Sequence, residues 1–533
     1  MNSVLSKIIE LVQNQDFYKA EQELNAIYKA NENSYDVNKL LGIALIAQKK
    51  YNRALKCFEK CYEIKKDDYE VILNISYLFL KSQFYQQSIE FSKKAIEIDP
   101  EKPHAYQNLA TCFFFLNRLN DAEENILKSI SIRGGLRDTN FYSVVDLRRL
   151  YADILLAQQK SQEFCDYVLE LLELTFDINL LTKLHRENPE LIQKKHLELV
   201  ELAIKNSVHY ESFIDRNSEL SSAYFFLAEY NSKDNPSLSE DYYVKANKYI
   251  SDMQRESLFV RQKFCFNIYN FFKDFDTTDI ENEISPNKGQ GLIFILGMPR
   301  SGTSLTESVL STSNKVITGG EKVFFTLQLS EVIKKLLEGD QNLDVDFFIS
   351  LGDRYLDHIK IHRGENKYFV DKLPENYLFY KFIKLSLPGA KFIHCFRNPW
   401  DNAISLFKQN YAVNIFYASS FFGIANELAN YEYLIQFWKN TDDTKSILDV
   451  EYEKLVQNEM ETAKEIWDHC MLEGNYNPEK RKSHFAYTAS MQQVTKDIYS
   501  SSLQKKDFSR FKDGFMEDLK TQREYWKKKI NHL

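Results

Sequence analysis

The first half of the chain repeats itself every 34 residues, and this period constrains its architecture more than any single residue does. Phe17, Tyr51, Tyr85 and Leu119 are each 34 apart, and so are Ala20, Ala54, Ser88 and Ala122. Gly42, Ser76 and Ala110 keep the same interval, as do Cys61, Ala95 and Ser129. Small residues recurring in fixed columns mark places where paired helices approach closely, with a large residue at the turn between them. One such pair cannot bury its apolar face alone, so the period predicts a stack of helical hairpins around a continuous core.

A helical hairpin of this length, with small residues in these columns and Pro100 at the closing position, resembles the tetratricopeptide repeat. That resemblance implies an α-solenoid whose concave face holds a peptide or protein partner; a purely structural stack would carry the same pattern. The repeats are expected over 1–137. From 138 to 284 the helical pattern continues without the period. Within that stretch, Ala223–Ile250 reads as two paired amphipathic helices, a degenerate final repeat with Asn235-Pro236 at its turn.

The rest of the chain is a different material. Only Gly42, Gly134 and Gly135 of the 16 glycines precede residue 285, and all four tryptophans follow it. A glycine-punctuated chain suits α/β structure. The polar segment Glu281–Gln290 is the expected boundary, giving an α/β domain over 285–533. A net charge of −8 and no long basic run argue against nucleic-acid binding. The N-terminus lacks a basic region before an apolar core, and charges interrupt every apolar run. A cytoplasmic protein with no membrane span is therefore expected. The seven cysteines form no C-x-x-C; Cys57 and Cys61 sit one helical turn apart, where buried core residues are expected rather than a metal site.

Chemistry concentrates in Gly291–Glu321. An apolar run, Leu292–Leu296, breaks at Gly297 into Met298-Pro299-Arg300-Ser301-Gly302-Thr303-Ser304, and an apolar-periodic helix follows. Strand, glycine-bounded turn and helix make an anion cradle of backbone N–H groups. The spacing Gly297-x4-Gly302 matches the start of a Walker A loop, but Thr303 stands where its lysine should be. The anion is therefore not expected to be a Mg-nucleoside triphosphate, and Arg300 supplies the charge.

Further apolar strands are expected at 367–370, 391–396 and 446–450, alternating with helices, which implies a parallel sheet with crossover helices. Functional residues of such sheets gather at the carboxyl ends of the strands. Arg300, Asp371-Lys372, Arg397 and Glu451-Tyr452 all follow strand ends. In Arg397-Asn398-Pro399-Trp400-Asp401-x3-Ser405, Pro399 suits a first helical turn, so Arg397 and Ser405 could hold a second phosphate. A helix-capping pair between Arg397 and Asp401 would explain Arg397 alone. Together the two loops suggest a ligand with two separated anionic groups.

These residues carry a family resemblance. Gly297–Ser304 looks like the 5′-phosphosulfate loop of sulfotransferases, and Arg397…Ser405 resembles their 3′-phosphate motif. The whole chain is similar to tetratricopeptide-containing sulfotransferases, and its catalytic half to protein-tyrosine sulfotransferases. The spacings Arg300 to Glu321 (21) and Lys372 to Arg397 (25) match that family. The resemblance implies an α + α/β protein, a repeat solenoid followed by a P-loop-like parallel-sheet sulfotransferase domain. It also implies 3′-phosphoadenosine 5′-phosphosulfate as donor, no metal, and a protein or peptide tyrosine delivered by the repeats as acceptor.

In those terms Arg300 and the amides of Ser301, Gly302, Thr303 and Ser304 hold the phosphosulfate, Lys372 neutralises the leaving phosphate, and Glu321 takes the acceptor's proton. Alone, Glu321 would read as a turn residue or a partner of Lys322. Tyr452 resembles a donor-contacting tyrosine. Ser490, in Thr488–Val494, resembles part of a loop closing over the nucleotide, with Lys505, Lys506 or Arg510 nearby for the 3′-phosphate. The same chemistry on a carbohydrate or small phenol stays open. So does a scaffold with a non-catalytic nucleotide site, although the full set of Arg300, Glu321, Lys372 and Arg397 argues against it.

Overall fold

The computed structural model describes every residue except 1, 136–140, 208–212, 254–256, 338–342, 412–414, 483–507 and 532–533. The chain forms two compact units, Met1–Tyr167 and Val168–Leu533.

In the first unit the period becomes geometry. Helices Tyr35–Ala47, Tyr69–Lys81 and Pro103–Phe115 begin 34 residues apart, and their hairpin partners Tyr51–Ile64, Tyr85–Ile98 and Leu119–Ile132 do the same. Ala20, Ala54, Ser88 and Ala122 are fully buried. The Gly42 column must be small, because a Cβ there would stand 2.6 Å from the Phe58 ring. Where the column carries Ser76, its hydroxyl donates to the Ser88 carbonyl at 3.0 Å and accepts from Asn108 at 3.2 Å, so the buried group is satisfied. The turns inside the hairpins pass through Gln15, Lys49, Gln83 and Asn117, all left-handed (φ 56–60°) and again 34 apart. Cys57 and Cys61 are buried, free thiols.

The second unit is built on a five-stranded parallel sheet: β1 (Leu292–Gly297), β2 (Val316–Thr318), β3 (Tyr368–Asp371), β4 (Lys391–Phe396) and β5 (Ile447–Glu451), in the order β2-β3-β1-β4-β5. Four of these are the apolar runs expected from sequence. The short β2 lies at one edge, where three residues suffice because only one neighbour needs pairing. β1 is central and fully buried, and Phe294 stacks on Phe392 of β4 while also meeting Tyr355. Three helices frame the functional edge: α1 (Thr303–Leu310), α2 (Pro399–Phe407) and α3 (Phe421–Asn440).

Helices that precede the sheet share its core. Phe213–Tyr230 and Pro236–Met253 pack as a hairpin, with the Ser239 hydroxyl donating to the Ala228 carbonyl. Helix Ser257–Lys273 lays Tyr269 on Phe437 and Phe272 on Trp438 of α3, and Phe266 on Trp526 of α4 (Ser509–Asn531). Arg261 of that helix reaches Glu427 and Glu375. Among the described residues no helix is long and apolar enough to cross a membrane.

Candidate functional site

The site forms at the carboxyl edge of the sheet, beginning with the turn after β1. Gly297 (φ 152°) passes so close to β4 that a Cβ would lie 2.3 Å from the Cys395 carbonyl. Ser301 anchors the turn there: its hydroxyl donates to the same carbonyl at 3.0 Å, and its N–H closes on Met298 O at 3.2 Å. Asn402 of α2 donates to Pro299 O at 3.0 Å and holds the turn from the other side. Arg300 is left-handed (φ 69°), and Gly302 (φ 99°) caps α1. The first-turn amides of α1, beginning at Thr303, have no helical acceptor and carry the positive end of the helix dipole. Thr303 and Ser304 are buried there.

Three further residues close around this turn. Arg300 Nε donates to the Ser405 hydroxyl of α2 at 3.1 Å. Arg397, just past β4, donates to the Arg300 carbonyl at 3.4 Å, and its guanidinium lies 4.3 Å over the Tyr452 ring. Tyr452 begins the helix after β5, and its ring fills the space a Gly302 Cβ would need, 2.7 Å away. Asn398 caps α2 by accepting from the Trp400 and Asp401 amides, so the helix start has a cap without Arg397. Glu453 lies 3.9 Å from Arg397 Nε and also accepts from Asn398 N. Arg300, Ser405, Arg397 and Tyr452, all singled out in the sequence, thus meet in one place from three separate segments.

Glu321 arrives by a different route. Beyond β2 the chain stays paired with β3: Gly319 N donates to Val370 O at 2.7 Å, and Lys372 N to Gly320 O at 2.9 Å. A Gly319 Cβ would sit 2.3 Å from the Phe369 ring, and Gly320 is left-handed (φ 64°), so each glycine of the pair has its own reason. The register sets Glu321 opposite Lys372, with Nζ 2.6 Å from Oε1; the lysine side chain is 1% exposed and the glutamate 44%. Their chain neighbours occupy the other face. Burial drives Lys322 down to about 8 and Asp371 up to about 7, with each drawn back by the other's charge. The Tyr355 hydroxyl donates to Asp371 at 2.7 Å.

Two residues here escaped sequence reasoning. Glu307, in α1, is buried and accepts from Gly320 N at 3.2 Å; burial raises its carboxyl to about 7, with Lys372 pulling the other way. Nothing in the local run Leu305-Thr306-Glu307-Ser308-Val309-Leu310 sets this carboxylate apart from a surface residue. Tyr411, just beyond α2, has a covered hydroxyl that feels the charges of both Arg300 and Glu321. A lone tyrosine after a helix gives no signal either.

His394, expected as a packed strand residue, is buried between Asp449 at 2.7 Å and the Tyr431 hydroxyl. Arg510 pairs with Asp241 at 2.8 Å. Ser490, its loop Thr488–Val494, Lys505 and Lys506 lie outside the described residues.

Residues 293–477 match the model of a sulfotransferase family, and residues 38–68 and 69–102 match a tetratricopeptide-repeat model. The second unit therefore contains a sulfotransferase domain and the first contains tetratricopeptide repeats. An uncharacterized protein of Aquifex aeolicus (strain VF5) is 32% identical over 231 residues, 40% of this chain; the chain spans only 30% of that relative's length. Among solved structures, MamA (41-end) from Desulfovibrio magneticus RS-1 is 14% identical, covering 32% of this chain and 93% of that one at a TM-score of 0.29. TTC0263, a thermophilic tetratricopeptide-repeat protein of Thermus thermophilus, is 13% identical over 35% of this chain and 97% of that one, also at 0.29.

Proposed function

We propose that this protein transfers a sulfuryl group from 3′-phosphoadenosine 5′-phosphosulfate to a tyrosine hydroxyl of a protein or peptide, in a domain spanning 285–533. In this reading 1–137 is the repeat stack that receives the acceptor, and 138–284 is a helical extension. The observation that carries the proposal is the Lys372–Glu321 contact of 2.6 Å beside a turn ringed by Arg300, Arg397 and Ser405.

The amides opening α1 and the Arg300 guanidinium bind the 5′-phosphosulfate. Arg397 and Ser405 take the 3′-phosphate, and Tyr452, held between Gly302 and Arg397, packs against the nucleotide. The acceptor oxygen attacks sulfur in line with the bridging S–O bond, which breaks to leave 3′-phosphoadenosine 5′-phosphate. Glu321 takes the hydroxyl proton as the new O–S bond forms. Lys372 does two things at once: its 2.6 Å contact keeps Glu321 aimed, and it offsets the charge growing on the leaving phosphate. A buried ammonium suits that second task, because the little water around it screens the field weakly.

Incubating the full chain with 35S-labelled donor and a panel of tyrosine peptides, sugars and small phenols tests this reading. Label on the peptides supports it. Label confined to sugars or phenols would replace the acceptor and leave the chemistry standing. Donor binding without label on any acceptor, together with unaltered donor, would favour a non-catalytic nucleotide site.

A further inference from the structure

The side chain of Glu321 is 44% exposed, so packing alone does not fix where its carboxylate stands. The residue before it does much of that work. Gly320 is left-handed (φ 64°), a conformation that the missing Cβ permits but does not impose. The fold holds Gly320 from two sides. Its carbonyl accepts from Lys372 N at 2.9 Å, continuing the pairing with β3, and its N–H donates to Glu307 Oε1 at 3.2 Å.

The second contact comes from a buried carboxyl. Glu307 is 1% exposed, and its other oxygen, Oε2, is covered and makes no hydrogen bond among the described residues. Asn402 and Glu453 also have such a covered atom, but their bonded atoms hold the donor turn and the start of α2. Of the three, Glu307 is the one bonded to the segment that carries Glu321. Burying a carboxyl against one backbone N–H costs stability that an apolar side chain would not, which points to a task beyond packing.

Its place on α1 identifies the task. Glu307 lies four residues after Thr303, where the amides assigned above to the phosphosulfate begin. One helix therefore carries both the donor cradle and the anchor of the base's turn, about 6 Å apart along its axis. Sulfuryl transfer depends on that spacing, because the base must reach the acceptor hydroxyl while its oxygen stands in line with the breaking S–O bond. The contact does not require a charged carboxylate. Burial raises Glu307 to about 7, and its protonated and ionised forms both keep an oxygen that accepts from Gly320 N.

We propose that Glu307 is a positioning residue for the base: by accepting from Gly320 N it fixes the turn that presents Glu321, and so sets the base's distance from a donor bound at the start of the same helix. This rests on the sulfuryl-transfer reading given above, and it gives Glu307 no contact with donor, acceptor or proton.

The test compares three substitutions in the full chain. Glu307→Leu and Glu307→Met remove the acceptor oxygen with two different apolar shapes, whereas Glu307→Gln keeps a carbonyl oxygen for Gly320 N. In both apolar variants turnover with the best acceptor of the panel should fall by roughly 10- to 100-fold, the scale for misplacing a reacting group by about 1 Å. Calorimetric affinity for 3′-phosphoadenosine 5′-phosphate should stay at the parent's value, because Ser301 and Asn402 still anchor the donor turn. Glu307→Gln should recover most of the turnover. The double variant Glu307→Leu/Glu321→Gln should turn over no more slowly than Glu321→Gln alone, since no base is left to place.

Parental turnover in both apolar variants would overturn the inference. Turnover in Glu307→Gln as low as theirs would do so too, by showing that the charge matters and the contact does not. A further drop in the double variant would show that Glu307 acts apart from Glu321, with the same consequence. Loss of bisphosphate binding in both apolar variants would make Glu307 a support of the donor turn and overturn the inference as well. Absence of transfer in the parent, or parental transfer in Glu321→Gln, would instead overturn the underlying reading of the site, and this inference with it.

Discussion

Replacing Arg261 with methionine should cost the second unit about 3–5 kcal/mol, because it strands a buried charge. Glu427 is 1% exposed and accepts from Arg261 Nε at 2.9 Å, from the Tyr377 hydroxyl at 2.6 Å and from Asn430 at 3.1 Å. Methionine preserves the packing of the Arg261 stem but leaves the carboxylate with neutral donors only from these contacts. The second partner, Glu375, is 26% exposed and remains hydrated, so losing that pair adds no more than ~1 kcal/mol. For a unit of this size the melting temperature should fall on the order of 5–10 °C. All four tryptophans lie in this unit, so denaturant unfolding followed by their fluorescence isolates it from the repeats. The double variant Arg261→Met/Glu427→Gln should recover at least ~2 kcal/mol, the coupling expected of contacting residues. A single-variant loss within ~1 kcal/mol, or no recovery in the double variant, would refute the reasoning. By the same logic a fragment starting at 285 discards Arg261 and the aromatic face of its helix, and should be markedly less stable than 168–533.

Four further substitutions probe the site. Glu321→Gln should leave bisphosphate affinity near the parent's while transfer falls by roughly 10²-fold or more, as for loss of a general base; parental activity would assign the proton to another group. Arg300→Ala and Arg397→Ala should each weaken bisphosphate binding by about 1.5–3 kcal/mol in calorimetry, and an unchanged affinity in either would break the two-anion assignment. Glu307 is raised to about 7 in the fold from an ordinary value of 4.5, so the folded state holds the extra proton between those values. Its contribution is therefore fully present below the unfolded value and is lost as pH rises through about 7. Glu307→Gln should flatten that part of the stability–pH curve, leaving the Asp371 contribution of the same sign; an unaltered curve would show that Glu307 ionises normally.

Much of this was legible in the residues, for definite reasons. The repeat helices could be placed because 34-residue columns of small side chains report helix contacts directly. Their turns could not, because Gln15, Lys49, Gln83 and Asn117 adopt left-handed backbone without glycine. Strands β1, β3, β4 and β5 announced themselves as apolar runs, whereas β2 has three residues and borrows its pairing from β3. Arg300 and Arg397 were visible from local motifs. The meeting of Glu321 with Lys372 depends on register across β2 and β3, which only family-like spacing hinted at. Glu307 and Tyr411 gain their meaning from folded neighbours 13 or more residues away in sequence, so no local pattern marks them. Helix Ser257–Lys273 is aromatic on several faces, which hid its packing against α3 and α4.

The most direct test of the central claim needs no acceptor: calorimetric titration of the full chain with 3′-phosphoadenosine 5′-phosphate and, separately, with ATP and Mg²⁺. A turn with Arg300 and no Walker lysine, beside Arg397 and Ser405, predicts that the bisphosphate binds at least about tenfold more tightly, since each charge-assisted contact contributes roughly 1.5–3 kcal/mol. Equal or tighter binding of MgATP, or no binding of the bisphosphate, would contradict it.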